Sequence, residues 1–223
     1  MLVILLHLAS LRMFTVSTSN STAVSVSSER YHHGNLRQAL LEEGVRLLEE
    51  NPDGEFSLRE LARRVGVSAN SSYRHFRSKS DLMVALALEG MQRFGRDQAE
   101  AWASTQGDGK DRFLATGCAY VRFARRNPAL FRLMFGRFVV ENSSADLCAA
   151  RKANFTSLKQ GVAAALEVPI DSPKVEHGAD SAWAVVHGLS HLILEGVITG
   201  SEAEIERRVE LALRQWSGLV TPL

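Results

Sequence analysis

The sequence predicts an all-α protein, with a small three-helix unit followed by a larger helical body and about nine helices in all. Apolar residues recur at helical spacing along nearly every segment from residue 36 to residue 216. An Asn-Pro-Asp-Gly cluster at 51–54 and an Asn-Pro pair at 127–128 separate these segments. Capping boxes, a Ser followed three residues later by an acid, open two of the helices, at 57–60 and 78–81.

Composition limits the class of protein. A chain of 223 residues with 45% hydrophobic content can form one large domain or two small ones. A net charge of +1 excludes a globally basic surface. Cys118 and Cys148 are too few for a disulfide framework, so we expect a cytoplasmic protein. The apolar run at 2–9 is less than half of the ~20 residues that a membrane span needs, and we predict no membrane association.

The first thirty residues differ from the rest of the chain. Positions 15–28 contain nine Ser or Thr among fourteen residues, a composition that cannot bury enough surface to offset the entropy of ordering. The apolar run before them has no cationic residues ahead of it, unlike a signal peptide. We therefore predict that residues 1–30 are a disordered leader or an overlong gene start, with Met13 or a codon near Glu29 as the true beginning.

Three short helices are predicted between residues 35 and 76. The first begins after Asn35 and ends at the 51–54 cluster. The second has an apolar stripe at i, i+3, i+4 and i+7, formed by Leu58, Leu61, Ala62 and Val65. Gly66 follows it, where a helix end favours a residue that tolerates positive φ, and Ser68 can cap a third helix.

The third helix and its neighbours are strongly basic. Residues 59–79 contain six Lys or Arg against one acid, Glu60, although the whole chain is only +1. The exposed side of the helix is small, hydroxylated or cationic, so it can approach a polyanion closely. Helix-turn-helix proteins place such a second helix in the major groove of DNA. We predict a DNA-binding helix-turn-helix at 57–76; the alternative is an ordinary helical hairpin with a solvated basic face.

The same stretch resembles the signature of the TetR family of bacterial transcriptional regulators, over roughly residues 31–94. The matching residues are Leu61, Ala62, Gly66, Val67, Ser68, Tyr73, His75, Phe76, Lys79 and Leu82. The resemblance implies a DNA-binding domain at 31–80 and a helical ligand-binding and dimerisation domain at 81–223. It also implies that the long helix opened by Ser78 joins the two, and its length of ~25 residues fits that role.

The predicted DNA contacts lie around the third helix. Asn70, Ser71 and Arg74 are expected at or near the bases, and Asn70 could pair with adenine through two hydrogen bonds. The residues expected to contact phosphates are Ser57, Arg59, Tyr73, His75 and Lys79. Ser68 and Ala69, at the start of the helix, complete the predicted set.

Further helices are predicted at about 113–124, 130–135 and 147–166, with an uncertain loop from Phe138 to Asp146. Aromatic residues and Met cluster in this region; at helical spacing they form either the core or a pocket for an apolar small molecule. The resemblance favours the pocket. The candidate lining residues are Phe94, Phe113, Tyr120, Phe131, Met134, Phe135, Trp183 and His187.

Two long apolar stripes end the chain, at 175–197 and 202–216. One stripe can pack inward, and two neighbouring stripes predict a self-complementary dimer seam. The residues assigned to this seam are Val186, Leu189, Ser190, Ile193, Val197, Val209, Leu213 and Trp216. Trp183, His187 and Gly188 also resemble the W-x-x-x-H-G motif of a TetR subclass called WHG.

These patterns predict a non-enzymatic, homodimeric repressor that a small apolar effector releases from a palindromic operator in double-stranded DNA. No cofactor or metal is expected. One alternative is a helical metalloenzyme, because His187, His191 and Glu195 are spaced at i, i+4 and i+8. No H-E-x-x-H pattern or fourth ligand accompanies them. The other alternative is a dimeric adaptor that does not bind DNA.

Overall fold

A computed structural model describes residues 36–220, and the predicted leader at 1–30 lies outside these residues. The described residues form ten α-helices and no strand, which confirms the all-α class. The helices are α1 Leu36–Glu50, α2 Leu58–Val65, α3 Ala69–His75, α4 Lys79–Ser104, α5 Gly109–Arg126, α6 Pro128–Phe135, α7 Arg137–Glu141, α8 Ala145–Leu166, α9 Pro173–Leu194 and α10 Glu202–Val220. The short α7 lies in the segment where the sequence predicted a loop.

Helices α1, α2 and α3 form the small front unit. The hydroxyl of Ser57 accepts a hydrogen bond from the amide of Glu60 at 3.1 Å, and the hydroxyl of Ser78 accepts one from Asp81 at 3.0 Å. These are the first halves of the two predicted capping boxes. Local capping therefore sets where α2 and α4 begin.

The apolar core is continuous between the front unit and the body. It runs from Leu40 and Leu47 on α1 through Leu86 on α4 to Phe131 on α6 and Leu213 on α10. Each of these five side chains is at most 2% exposed. The predicted boundary at residue 80 therefore does not divide this apolar core into two.

Helix α5 lies in the middle of the body and packs against α4, α8, α9 and α10. A second, smaller core lies between α5, α8, α9 and α10, around Val162, Ala179 and Trp216. Within residues 36–220, none of the helices has the length and continuous apolar character that a bilayer crossing requires.

The predicted dimer seam needs correction. Five of its eight side chains are at most 5% exposed within this single chain, because their sides of α9 and α10 pack onto α5 and α8: Val186, Ser190, Val209, Leu213 and Trp216. Leu189 and Ile193 are half-buried, and Val197 is 70% exposed. The stripes read from the sequence are therefore mainly the inward faces of both helices. Apolar surface is exposed on other positions, at Leu192 and Leu211.

Candidate functional site

A tight turn sets the angle between α2 and α3. Gly66 has φ +77°, in the left-handed region that favours glycine, and its amide donates to the carbonyls of Ala62 and Arg63. Two residues later the hydroxyl of Ser68 accepts from the amide of Ser71 at 3.2 Å and caps α3. The turn that the sequence predicted is thus formed by the residues expected to form it.

One buried hydroxyl fixes α3 to α2. Ser72 is fully buried, and its Oγ donates to the carbonyl of Leu58 on α2 at 3.2 Å and to that of Ala69 at 2.8 Å. A buried hydroxyl that has partners adds stability and orientation together. Because Ser72 faces inward, the positions two before and one or two after it face outward.

None of the ten predicted DNA-contact residues is buried. Ala69 and Ser71 are half-exposed and the other eight are exposed. Tyr73 is notable because a large ring is 43% exposed there. Asn70, Tyr73 and Arg74 are spaced at i, i+3 and i+4, so they share one face of α3. The structure therefore leaves this face free to meet a partner.

The surface around α3 carries less unpaired positive charge than the count of Lys and Arg residues indicated. Arg64 makes paired hydrogen bonds to the carboxylate of Glu50 on α1, at 2.9 and 2.5 Å, and lies 3.5 Å from Glu43. The guanidinium holds the pKa of Glu50 below its usual value. Lys79 stays exposed, with its Nζ 5.5 Å from the ring centre of Phe56. Arg64 is thus paired within the fold. Glu43 and Glu50 lie outside the stretch that was counted, and Glu60, inside it, lies 3.8 Å from the guanidinium.

An open cavity lies between α4, α5, α8 and α9, with about 570 Å³ of empty space that includes its mouth to solvent. Five aromatic side chains form much of its wall. The lining residues are Met91, Phe94, Gln98, Tyr120, Phe135, Arg151, Asn154, Phe155, Leu158, Trp183 and Val186. A second cavity, of about 870 Å³, shares Gln98, Asn154 and Leu158 with the first and extends past Trp102 and Phe113.

The structure divides the predicted pocket residues into three groups. Phe94, Tyr120, Phe135 and Trp183 line the first cavity, and Phe113 lines the second. Phe131 and Met134 do not line either cavity, because they are fully buried in the core. Their assignment to the pocket was wrong.

His187 does not line either cavity, but it supports the wall of the first through a hydrogen-bonded chain. The indole Nε1 of Trp183 donates to the hydroxyl of Tyr120 at 3.2 Å, and that hydroxyl lies 2.8 Å from Nδ1 of His187. The tyrosine oxygen accepts from Trp183, and we assign its own proton to the bond with His187, which leaves the His187 proton on Nε2. Burial, with His191 adjacent, lowers the pKa of His187, and burial raises the pKa of Tyr120. The imidazole is therefore a neutral acceptor at pH 7.

The contribution of α8 to the cavity was not predicted from the sequence. Arg151, Asn154, Phe155 and Leu158 are spaced at i, i+3, i+4 and i+7 and form one face of that helix. This face mixes a cation, an amide and two apolar groups, so it lacks the uniform apolar stripe used to identify inward faces. The sequence shows the helical spacing of these four residues, but it lacks the uniform apolar pattern that marks an inward face.

The metal-binding alternative finds no support in the geometry. Glu195 accepts a hydrogen bond from Arg132 at 3.1 Å, and His187 is engaged with Tyr120. Within the part of the chain that the structure describes, no three His, Cys, Asp or Glu side chains are grouped so that they could hold a metal ion.

Two family models match the chain in succession. Residues 40–86 match the model described as bacterial regulatory proteins, tetR family, and residues 113–216 match the model described as tetracyclin repressor-like, C-terminal domain. The first covers α1 to the early part of α4, and the second runs from α5 into α10. No curated protein is significantly similar to the chain.

Solved structures with the same fold cover most of the chain. A protein of unknown function from Rhodococcus sp. RHA1 is 29% identical, with a TM-score of 0.75, over 87% of this chain and 100% of its own. The TetR family transcriptional regulator PfmR from Thermus thermophilus is 19% identical, with a TM-score of 0.60, over 78% and 97%. A tetR-family transcriptional regulator from Streptomyces coelicolor is 20% identical, with a TM-score of 0.66, over 82% and 81%.

Proposed function

The chain belongs to the TetR family of transcriptional regulators and is not an enzyme, and we propose that it is a homodimeric repressor that a small effector releases from a palindromic operator. The observation that carries the proposal is the exposed face of α3. The seven residues of α3 expose a surface without acidic side chains. The Gly66 turn fixes one end of the helix, and the hydrogen bond from Ser72 to Leu58 fixes α3 to α2. Such a helix fits the major groove.

The proposed DNA contacts follow from position on this face. Asn70 and Arg74 lie one turn apart and are both exposed, so they are assigned to base edges together with Ser71. Arg59, near the start of α2, and Lys79, at the start of α4, flank the helix and are assigned to phosphates. Ser57, Tyr73 and His75 are assigned there too. In this scheme residues 31–80 bind DNA, and residues 81–223 bind the effector and the partner subunit.

A second copy of the chain is the proposed occupant of the exposed side of α9 and α10. Ala184, Gly188 and Leu192 are spaced by four residues on α9 and are all exposed, and Leu211 on α10 is 55% exposed. This strip takes the place of the buried residues first assigned to the seam. A twofold dimer would present two α3 helices to half-sites one helical turn, about 34 Å, or a multiple of it apart.

The effector is proposed to occupy the cavity beside α4 and to act through that helix. Helix α4 lines the cavity with Met91, Phe94 and Gln98 and begins at Lys79, four residues after α3 ends. A coupling of about 1–3 kcal/mol between the two sites, roughly five- to 150-fold in affinity, is typical of such regulation. A cytoplasmic location is part of the same proposal.

Selection of bound duplexes from a random pool tests DNA recognition and gives the half-site spacing at the same time. For the selected operator, log affinity should fall linearly with log salt concentration. Lys79→Ala should weaken binding to all duplexes alike and reduce the salt slope by about 1. Asn70→Ala should lose about 1–3 kcal/mol of discrimination at one base pair. Failure to enrich any sequence would favour the adaptor alternative.

A charged substitution in the exposed strip tests the dimer. Leu192→Glu should shift the protein from dimer to monomer in sedimentation equilibrium, because a carboxylate would have to be buried in the seam. Val140→Glu is the matched control, since Val140 is also exposed but lies on α7. Equal behaviour of the two variants would contradict the proposed seam.

A further inference from the structure

We propose that the effector is a carboxylate with an aromatic or aliphatic body, whose head binds Arg151 and whose body fills the aromatic cavity. This inference rests on the proposed function only in calling the ligand an effector. The binding site itself stands on the cavity and on one cation. It also replaces the purely apolar ligand expected from the sequence with an amphiphilic anion.

The first observation that favours a carboxylate ligand is the charge of the cavity wall. Among the described residues that line the cavity, Arg151 is the single cation and none is an acid. Among residues 36–220, no carboxylate lies within ion-pair distance of its guanidinium, and no hydrogen bond ties it down. A half-buried guanidinium with five donors and no anion favours a ligand that supplies one. A carboxylate fits this fork geometry with two parallel hydrogen bonds.

The rest of the wall fixes the character of the ligand body. Phe94, Tyr120, Phe135, Phe155 and Trp183 surround the space next to Arg151. The hydroxyl of Tyr120 and the indole of Trp183 are already hydrogen-bonded within the wall, so these side chains present mainly ring surface. Such a wall binds aromatic rings or alkyl chains by burial of apolar area.

The axis of α8 gives the length of the ligand. Arg151 and Leu158 are seven residues apart on one face, so they are separated by about 10 Å along the helix. The first cavity shares Leu158 with the second, which extends past Trp102 and Phe113. A head at Arg151 therefore leaves room for a body of at least about 10 Å. Short acids such as acetate would leave most of this space empty.

Asn154 is the positioning residue that connects this ligand to α4. Its Nδ2 donates to the backbone carbonyl of Met91 in the middle of α4 at 3.0 Å. The two helices touch there: a Cβ placed at Gly95 would lie 2.6 Å from Oδ1 of Asn154. Asn154 lines both cavities, so a ligand body that passes from one to the other contacts it. Movement of this amide would act directly on the helix that begins beside α3.

The direct test uses ligand pairs that differ only in charge. Decanoate and decan-1-ol, and 4-phenylbutyrate and 4-phenylbutan-1-ol, are titrated into the full chain without DNA. Binding is followed by calorimetry and by the fluorescence of Trp102 and Trp183. We expect each carboxylate to bind about ten- to 100-fold more tightly than its alcohol, as a charged hydrogen-bonded pair predicts. Equal or weaker binding of the carboxylates, or no binding by any probe, overturns the proposal.

Variants at neighbouring positions locate the head group. Arg151→Met should remove the preference for the carboxylate, and Arg151→Lys should keep part of it. Lys152→Met is the matched control, because Lys152 is exposed on the same turn of α8 and its loss changes the net charge equally. If Lys152→Met weakened carboxylate binding as much as Arg151→Met, the effect would come from general charge and the proposed contact would be wrong.

The two proposals fail in different ways. Tight carboxylate binding that leaves operator affinity unchanged would support the site and contradict release by an effector. Where the operator does respond, Asn154→Ala should reduce the ratio of operator affinities measured without decanoate and at saturating decanoate, because saturation removes any change in ligand affinity from the comparison. An unchanged ratio at saturation would overturn the positioning role.

Discussion

The carboxylate of Glu49, near the end of α1, accepts a hydrogen bond from the backbone amide of Leu130 at 3.0 Å. Its other oxygen accepts one from the amide of Ala129, also at 3.0 Å. Helix α6 has no side-chain cap of its own, and Pro128 at its start has no N–H to offer. Glu49 therefore supplies from 80 residues away the N-terminal cap that most helices obtain locally, and it joins the front unit to the body.

Removal of the Glu49 charge should destabilise the protein. We expect Glu49→Ala to lower the free energy of unfolding by about 1–3 kcal/mol, because two amides lose an ionised acceptor at a helix N-terminus. Glu49→Gln should lose less, since one amide oxygen remains. Urea unfolding gives the values. Glu42→Gln is the control on an exposed position of α1, and an equal loss there would contradict the capping role.

Acidification should weaken the wall of the cavity through His187. Its folded pKa lies below the ordinary value of 6.5, so the folded state binds fewer protons than the unfolded chain. The stabilisation is therefore complete above about pH 6.5 and is lost as the pH falls through the folded pKa. Protonation also removes the acceptor for Tyr120.

Melting temperatures between pH 8 and pH 5 measure this effect. His187→Asn keeps an acceptor near the position of Nδ1 but cannot titrate, so its melting temperature should fall less across the range. A variant profile that is parallel to the wild-type profile would show that the acid sensitivity arises elsewhere.

Substitution of Gly188 should weaken the dimer without destabilising the single chain. A Cβ at this position would meet no atom within 4 Å, and the residue lies inside α9. For the isolated chain, Gly188→Ala should therefore stabilise by about 0.5–1 kcal/mol. In the proposed dimer the methyl group would separate the two strips, and Gly188→Leu would separate them further. A graded loss of dimer in sedimentation is expected; unchanged association of the leucine variant would exclude Gly188 from the seam.

Gly90 should be required for the contact between α4 and α6. A Cβ there would lie 2.6 Å from the Sδ of Met134, which is fully buried. We expect Gly90→Ala to cost about 1–3 kcal/mol from overpacking. The double variant Gly90→Ala/Met134→Ala should recover part of that loss relative to the sum of the single variants. Strict additivity in unfolding measurements would mean that Met134 moves aside at no cost.

Most helices could be predicted from local sequence patterns, because capping and termination act within about four residues. Ser57, Gly66 and Ser68 take the positions expected of them, and α6 ends beside Gly136 as predicted. The α7 helix was missed because it has five residues, too few to show a period. It begins without a side-chain cap.

Contacts between distant segments could not be read in the same way. Arg64 was counted as a free cation because its partner Glu50 precedes the basic stretch by several residues and lies on another helix. Trp216 and Leu213 formed a clear stripe, but a stripe does not reveal whether it faces this chain or a partner; here both side chains are buried against this chain's own helices. Phe131 was assigned to the cavity and Arg151 was not, for the same reason. Aromatic content favoured Phe131 for the cavity, and only packing could assign it to the core.

The contact between α8 and Gly95 on α4 also determines how far a small movement in the body would displace the start of α4. Gly95 lies sixteen residues from Lys79, about 24 Å along an unbroken helix. If the helix turned as a rigid rod about that point by only about 5°, its first residue would be displaced by roughly 2 Å. That is several times the spread of about 0.5 Å in hydrogen-bond lengths, so a small change in the body would be enough to break contacts made by the neighbouring α3.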